Sequence, residues 1–316
     1  MFKLARPFFL LVETPLHAGS GSDLGIVDLP IQREKHTGFP KVEASGLKGC
    51  IKEAFRELPQ MELNGKVLGE NERKQAINLT FGPDEGDLHA GALGFTDARL
   101  LLFPVRSARG VFAWITCPRV LHRMVQDWQL TGLSKEMPPV PQAGSVPEKS
   151  QLLVDDQHIL LEEYAFKVQK SADCSKLAEW LAGNVLPRAQ AYNYWREKMK
   201  QNLVVLADDD FSDFVHLATE VITRTRIDQT TGTVQDGALF TEEYLPAESV
   251  LYALALATPI FVEKNKDKAV FVQNGGPEEK LVMDFWATNL PSVIQLGGNA
   301  TIGKGLVSIN IPEVGK

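Results

Sequence analysis

The chain reads as an α+β protein built around an antiparallel sheet. Two observations carry that expectation. Strand-like apolar runs and helical periods follow one another without the regular βα alternation that a parallel sheet requires. A length of 316 residues with 44% hydrophobic content is also enough for a sizeable core, as one large domain or two modest ones.

The elements follow in order. Residues 4–12 form a first strand; its apolar run is too short to cross a membrane or act as a secretory segment, and Glu13 interrupts it. A long polar loop runs to Pro40. Ser45 then stands where a helix N-cap belongs, and Leu47, Ile51, Ala54, Phe55 and Leu58 share one helical face. Residues 91–105 alternate well enough for one or two strands. Residues 137–147, rich in proline with one glycine, read as a loop or insertion. Residues 152–166 read as strand, and 177–186 and 192–199 as helices. Residues 203–206 start a strand that runs into a helix capped near Asp210 or Ser212. Strands return at 220–227, 250–257 and 306–311. Trp180 and Trp195 read as helix-face core and not as a base-stacking platform.

The net charge of −7 argues against a generally basic nucleic-acid binder. Its distribution is uneven. Between Ile31 and Arg56 six Lys or Arg residues face three Glu, a local balance of +3, while acid concentrates at 208–210 and 242–243. A basic strip on an acidic body suits a protein that holds one nucleic acid in a defined groove. Lys48, Lys52 and Arg56 recur at i, i+4 and i+8, a stripe close to a helix start that already favours anions; a solvated basic face is the alternative. Cysteines at 50, 117 and 174 are too scattered for a zinc knuckle or redox pair and fit a reducing, cytoplasmic setting.

Familiar catalytic patterns are missing. The sequence has no HExxH, no G-x-S-x-G elbow, and no dinucleotide fingerprint after a strand. Gly298-Asn-Ala-Thr-Ile-Gly303-Lys304 matches the first seven positions of a phosphate-cradling P-loop, but the eighth is Gly305, and 306–311 reads as a strand where a P-loop needs a helix. Both departures argue against nucleotide hydrolysis, and a nucleotide-binding enzyme would need an affinity that the broken P-loop predicts to be absent. Asp28 is the main catalytic candidate, set between apolar Val27 and Leu29-Pro30 with Arg33 and Lys35 following. A lone loop aspartate serves equally as a turn residue. His17, Glu242 and Tyr244 are possible helpers, each with a structural alternative.

Eight segments stand in order along the chain: His17-Ala-Gly19-Ser-Gly21, Val27-Asp28-Leu-Pro30-Ile-Gln-Arg33, Thr37-Gly38-Phe-Pro40 and Ala44-Ser45-Gly46-Leu-Lys48-Gly49, then Val204-Val-Leu-Ala-Asp208-Asp-Asp-Phe211, Arg226-Ile-Asp228-Gln-Thr-Thr-Gly232, Leu239-Phe-Thr-Glu242-Glu-Tyr244-Leu-Pro246, and the glycine segment Leu296-Gly-Gly298-Asn-Ala-Thr-Ile-Gly303-Lys-Gly305. Together they resemble the RAMP proteins of CRISPR systems, and among these the backbone subunits of type III-B effectors, the Cmr complexes.

The resemblance implies a modified RRM/ferredoxin-like palm in a single domain, with an insertion around 106–200 and a protruding thumb hairpin at 223–244. Thr230-Thr-Gly232-Thr and Asp236-Gly237 would supply its turn chemistry. It implies endoribonuclease activity on RNA complementary to a bound guide, with Asp28 acting alongside a divalent metal, Mg or Mn, that RNA oxygens help to hold. It assigns RNA contacts to Arg33, Ser45, Lys48, Lys52, Arg56, Arg224 and Arg226, and to Gly297, Gly298, Gly303, Lys304 and Gly305. The implied partners are guide RNA, target RNA, further copies of the chain stacked head to tail in a filament, a large polymerase-like subunit and a small helical subunit. A subunit that only scaffolds RNA, or the type III-A backbone counterpart, is the alternative.

Overall fold

The computed structural model describes residues 2–22, 25–84, 89–132, 137–262, 268, 270–271 and 276–312. Its frame is a βαββαβ unit. The strands Leu4–Val12, Ala98–Arg106, Val250–Ala257 and Leu306–Asn310 are its four strands in chain order, and the helices Ala44–Glu57 and Glu278–Asn289 are its two crossovers. Across the sheet they lie in the order Leu306–Asn310, Leu4–Val12, Val250–Ala257, Ala98–Arg106, with every neighbouring pair antiparallel. This is the ferredoxin-like 4-1-3-2 arrangement expected of an RRM-like palm.

The sheet grows beyond this frame to 11 strands among the described residues. Phe112–Thr116 pairs antiparallel with Ala98–Arg106, and Leu203–Val205 lies parallel to Phe112–Thr116. Ser145–Pro147 and Gln169–Ser171 complete that edge. Residues between 106 and 200 thus add strands to the palm sheet itself.

Both faces of the sheet are covered, which explains why Phe8–Val12 reads as continuous apolar sequence and not as an alternation. Phe8 and Phe9 are both fully buried and point to opposite faces. Phe8 packs edge-on to Trp286 of the helix Glu278–Asn289, with ring centroids 5.3 Å apart. Phe9 meets Trp128 at 5.5 Å and Trp180 at 6.0 Å, from the helices Pro118–Gln129 and Ala172–Asn184. Each such aromatic pair adds about 0.5–1.5 kcal/mol beyond its buried area. Among the described residues no helix is long and apolar enough to cross a membrane.

The first helix starts two residues earlier than an N-cap at Ser45 predicts. Ala44 is its first residue and Glu43 its N-cap, with no side-chain cap from within the helix. Asp97 supplies the missing acceptor from outside: its Oδ1 takes the Ala44 N–H at 2.9 Å while its Oδ2 binds Lys41 Nζ at 2.9 Å. Leu47, Ile51 and Phe55 face the core as the spacing predicts. The segment 152–166 is not one strand but a hairpin, His158–Leu161 with Tyr164–Lys167. The helix after 203–206 begins at Asp208, earlier than the expected cap.

A separate two-stranded hairpin, Glu220–Ile227 with Val234–Tyr244, stands apart from the large sheet. Its turn is organised by Asp228, whose Oδ1 accepts the N–H groups of Thr230 and Thr231 at 2.8 and 3.1 Å, and by Gly232 at φ +69°. Asp236-Gly237 lies within the second strand and not at a turn, because the chain has already reversed at Asp228–Thr233.

Candidate functional site

The base of this hairpin is where separate parts of the chain converge. Residues 241–244 pair on one edge with Glu220–Thr223, and residues 241–245 bond elsewhere with two N-terminal segments. The Leu29 N–H donates to the Thr241 carbonyl at 3.0 Å, and the Glu243 N–H to the Leu29 carbonyl at 3.0 Å. Leu16 and Leu245 exchange both backbone bonds at 2.9 Å. Because side chains alternate along a strand, Thr241 and Glu243 project to one face and Glu242 and Tyr244 to the other. Two distinct clusters result.

The first cluster holds Asp28. Its exposed carboxylate accepts, at Oδ2, the Thr241 N–H at 2.7 Å and the Thr241 hydroxyl at 2.9 Å, and its own N–H donates to that hydroxyl oxygen at 2.9 Å. The backbone bond from Thr241, then its hydroxyl, hold the Asp28 carboxyl below the ordinary carboxylate range. Among the described residues Oδ1 has no partner. Beside it, Glu243 is buried and accepts from the Ile31 N–H at 3.0 Å, the Thr219 hydroxyl at 2.7 Å and the Arg33 guanidinium. Arg33 also donates to the carbonyls of Gly38 at 2.8 Å and Val215 at 3.0 Å. Its charge is therefore spent on shaping the 31–40 loop and not presented beside Asp28.

The second cluster centres on Glu242, 5% exposed, and the fully buried Tyr244. Glu242 accepts from the Tyr244 hydroxyl, from Asn299 Nδ2 at 2.6 Å and from Arg224 Nε at 3.2 Å, and His17 Nε2 lies 3.5 Å away. Burial alone would push the Glu242 carboxyl up; the Tyr244 hydroxyl, Asn299, His17 and Arg224 together outweigh it and hold the group below its usual value. For Tyr244, burial comes first and the neighbouring Glu242 second in raising its hydroxyl above the ordinary range. His17 Nδ1 sits 2.7 Å from the Glu243 carbonyl, which can only accept, so that nitrogen carries the proton. Lys304 Nζ lies 4.9 Å from the centre of the Tyr244 ring. The structure thus joins His17, Glu242, Tyr244, Arg224 and Lys304, but on the opposite face of the strand from Asp28.

The glycine segment supports this second cluster by close approach. Gly298 donates its N–H to the His17 carbonyl at 2.9 Å and Gly305 to that of Pro15 at 3.0 Å, while the N–H groups of Gly303 and Lys304 bond within the segment. A Cβ on Gly297, at φ +78°, would stand 2.3 Å from the His17 carbonyl oxygen. The segment then enters the strand Leu306–Asn310, as its departure from the P-loop pattern requires.

Of the basic stripe, Lys52 donates to the Gly82 carbonyl and to Asp84, both at 2.7 Å, and Arg56 is bound by Glu53 and Asp84. Lys48 is half-buried with no ion pair to an acid among the described residues; burial, then Lys52, lower its pKa. Ser45 and Arg226 are exposed. Thr241, Glu243, Asn299 and Asp84 were not legible as site residues. Alternation about Glu242 was the available signal for the first two, and nothing local marks Asn299 or Asp84.

Three comparisons place the chain. A profile of the RAMP superfamily matches residues 9–308. The CRISPR system Cmr endoribonuclease Cmr4 of Pyrococcus furiosus is 36% identical over 308 residues, covering 96% of this chain and 95% of that one. The CRISPR system CMR subunit Cmr4 of Saccharolobus solfataricus is 27% identical over 335 residues, covering 98% and 96%. A crystal structure of oligomeric Cmr4 from Pyrococcus furiosus superposes with a TM-score of 0.70 at 28% identity, covering 99% of this chain and 100% of that one. With the palm topology, the hairpin and the full-length match in agreement, the chain belongs to the RAMP superfamily.

Proposed function

We propose that this chain is the repeating backbone subunit of a type III-B CRISPR effector, which holds guide RNA along a filament of its own copies and cleaves complementary RNA through Asp28. The observation that carries the reading is the placement of Asp28: an exposed, ionised carboxylate clipped to the base of a projecting hairpin, in a chain that matches an endoribonuclease of this family end to end.

Geometry supplies most of the chemistry. The hairpin displaces a target nucleotide from the guide duplex, and the 2′-hydroxyl of that nucleotide comes into line with the adjacent phosphorus. Asp28 Oδ1 accepts the 2′-hydroxyl proton, the 2′-oxygen bonds to phosphorus, and the bond from phosphorus to the 5′-oxygen of the next nucleotide breaks, that oxygen taking a proton from water. Lys48 and the exposed Arg226 neutralise backbone phosphates of bound RNA.

The residues fit a divalent metal, Mg or Mn, only in part. Asp28 offers one unbonded carboxylate oxygen, and among the described residues no group of three His, Cys, Asp or Glu side chains could hold an ion. That suits a weak site completed by RNA oxygens. When bound, such an ion neutralises charge on the scissile phosphate.

The test is cleavage of labelled target RNA by the reconstituted guide-loaded complex, wild type against Asp28→Ala, with assembly checked for both. Loss of a positioned proton acceptor lowers the rate about 10²–10⁴-fold. Unchanged cleavage moves the chemistry to another residue or subunit. Chelation of divalent ions, with restoration by Mg or Mn, tests the metal separately.

A further inference from the structure

Resting on the reading of Asp28 as the cleavage residue, we infer that Thr241 is its positioning residue and couples it to the hairpin. The hydroxyl of Thr241 has one proton to give and lone pairs to receive, and it uses both on Asp28: it donates to Oδ2 at 2.9 Å and accepts the Asp28 N–H at 2.9 Å. Its backbone N–H adds a third bond to the same Oδ2 at 2.7 Å. Two donors on one oxygen fix the plane of the carboxylate and leave Oδ1 for the substrate.

The anchor is itself rigid. Thr241 lies in the strand Val234–Tyr244, directly opposite Thr223 in the hairpin register, and its β-branched side chain has few rotamers to choose from. The next residue, Glu242, is locked on the opposite face by Tyr244, Asn299 and Arg224. The Leu29 N–H donates to the Thr241 carbonyl at 3.0 Å, so the loop follows the strand through backbone as well. A displacement of the hairpin base carries Asp28 with it. Cleavage is then tied to the seating of the hairpin on the duplex, since a shift of about 1 Å in a reacting group costs on the order of 10²-fold in rate.

Thr241→Val preserves shape and both backbone bonds and deletes only the hydroxyl. In the guide-loaded complex it is expected to lower the single-turnover cleavage rate about 10- to 100-fold, with target-RNA affinity and assembly unchanged. Thr241→Ser restores the rate. Hydrogen exchange at Asp28 and Leu29 quickens in the valine variant only, a readout independent of catalysis. If Asp28→Ala is inactive while Thr241→Val cleaves like wild type, the positioning role is overturned and the Asp28 reading stands. If Asp28→Ala cleaves normally, both fall. Loss of affinity or assembly in Thr241→Val without rescue by serine makes the residue structural and overturns the inference.

Discussion

Arg33 and Glu243 form an ion pair that fastens the 31–40 loop to the base of the hairpin, with the glutamate side chain only 7% exposed. Removing one member of a buried pair strands the other, at about 3 kcal/mol or more; an exposed pair would cost about 0–1 kcal/mol. Arg33→Ala is therefore expected to destabilise the isolated chain by about 3 kcal/mol in urea unfolding. Unchanged stability with weakened RNA binding would instead make Arg33 an RNA contact.

Glu242 titrates below its ordinary value in the fold, so its network contributes stability above roughly pH 4.3, the unfolded value. That contribution is lost as pH falls through the lower folded value. Glu242→Gln should be less stable than wild type at pH 7, with the gap closing on acidification; a gap independent of pH would rule out the charged form as the source.

Glu248 behaves with the opposite sign. Burial, then Glu13 and Glu220, raise its pKa, so folding is penalised at neutral pH and the penalty fades as pH falls through the raised folded value toward the unfolded one. Glu248→Gln is expected to raise the melting temperature at pH 7.5 and to match wild type near pH 4. A lower melting temperature at pH 7.5 would refute this.

The three basic residues of the first helix are unequal. Asp84 already binds Lys52 and Arg56, whereas Lys48 has no ion pair to an acid among the described residues. Lys48→Ala should reduce the salt slope of guide-RNA binding by about 0.7, the value of one phosphate contact to a single strand. Lys52→Ala and Arg56→Ala should change it less. Equal effects at all three positions would show that Asp84 yields to RNA.

Phe9 packs against both Trp128 and Trp180, which also touch each other, and has no exposed surface. Phe9→Ala should cost about 3–5 kcal/mol by calorimetry or denaturant unfolding. A cost under about 1 kcal/mol would mean that the two tryptophans close the gap.

Local pattern made much of this fold legible. Leu4–Val12, Glu220–Ile227 and Val250–Ala257 are strands within the bounds that their apolar runs and β-branched residues predict. The helix Pro118–Gln129 carries its own signals in the sequence, a proline at its start and Val120, Leu121, Met124 and Trp128 on one face. Glu278–Asn289 was harder to see because Leu281, Val282, Met283, Phe285 and Trp286 are all buried, which blurs any amphipathic stripe. In the site, Asp28 stood out by its apolar neighbours, but its partner Thr241 lies 213 residues away in sequence. Nothing local to Arg33 reveals that Glu243 pairs with it. Pairings of that separation are written in the fold and not in the spacing.

The double covering of the palm sheet sets what kind of reader this molecule can be. An open RRM displays aromatic side chains on a bare sheet, and bases stacked there are distinguished by their edges. Here the ring on the corresponding face, Phe9, is roofed by two tryptophans, and among the described residues no face of the central strands is left for a base to lie on. The exposed aromatic rings, Tyr164, Tyr194, Phe240 and Phe261 among them, lie off the central strands. On the reading proposed above, a palm made this way stacks no base on its sheet, and recognition of a target is left to base pairing with the guide.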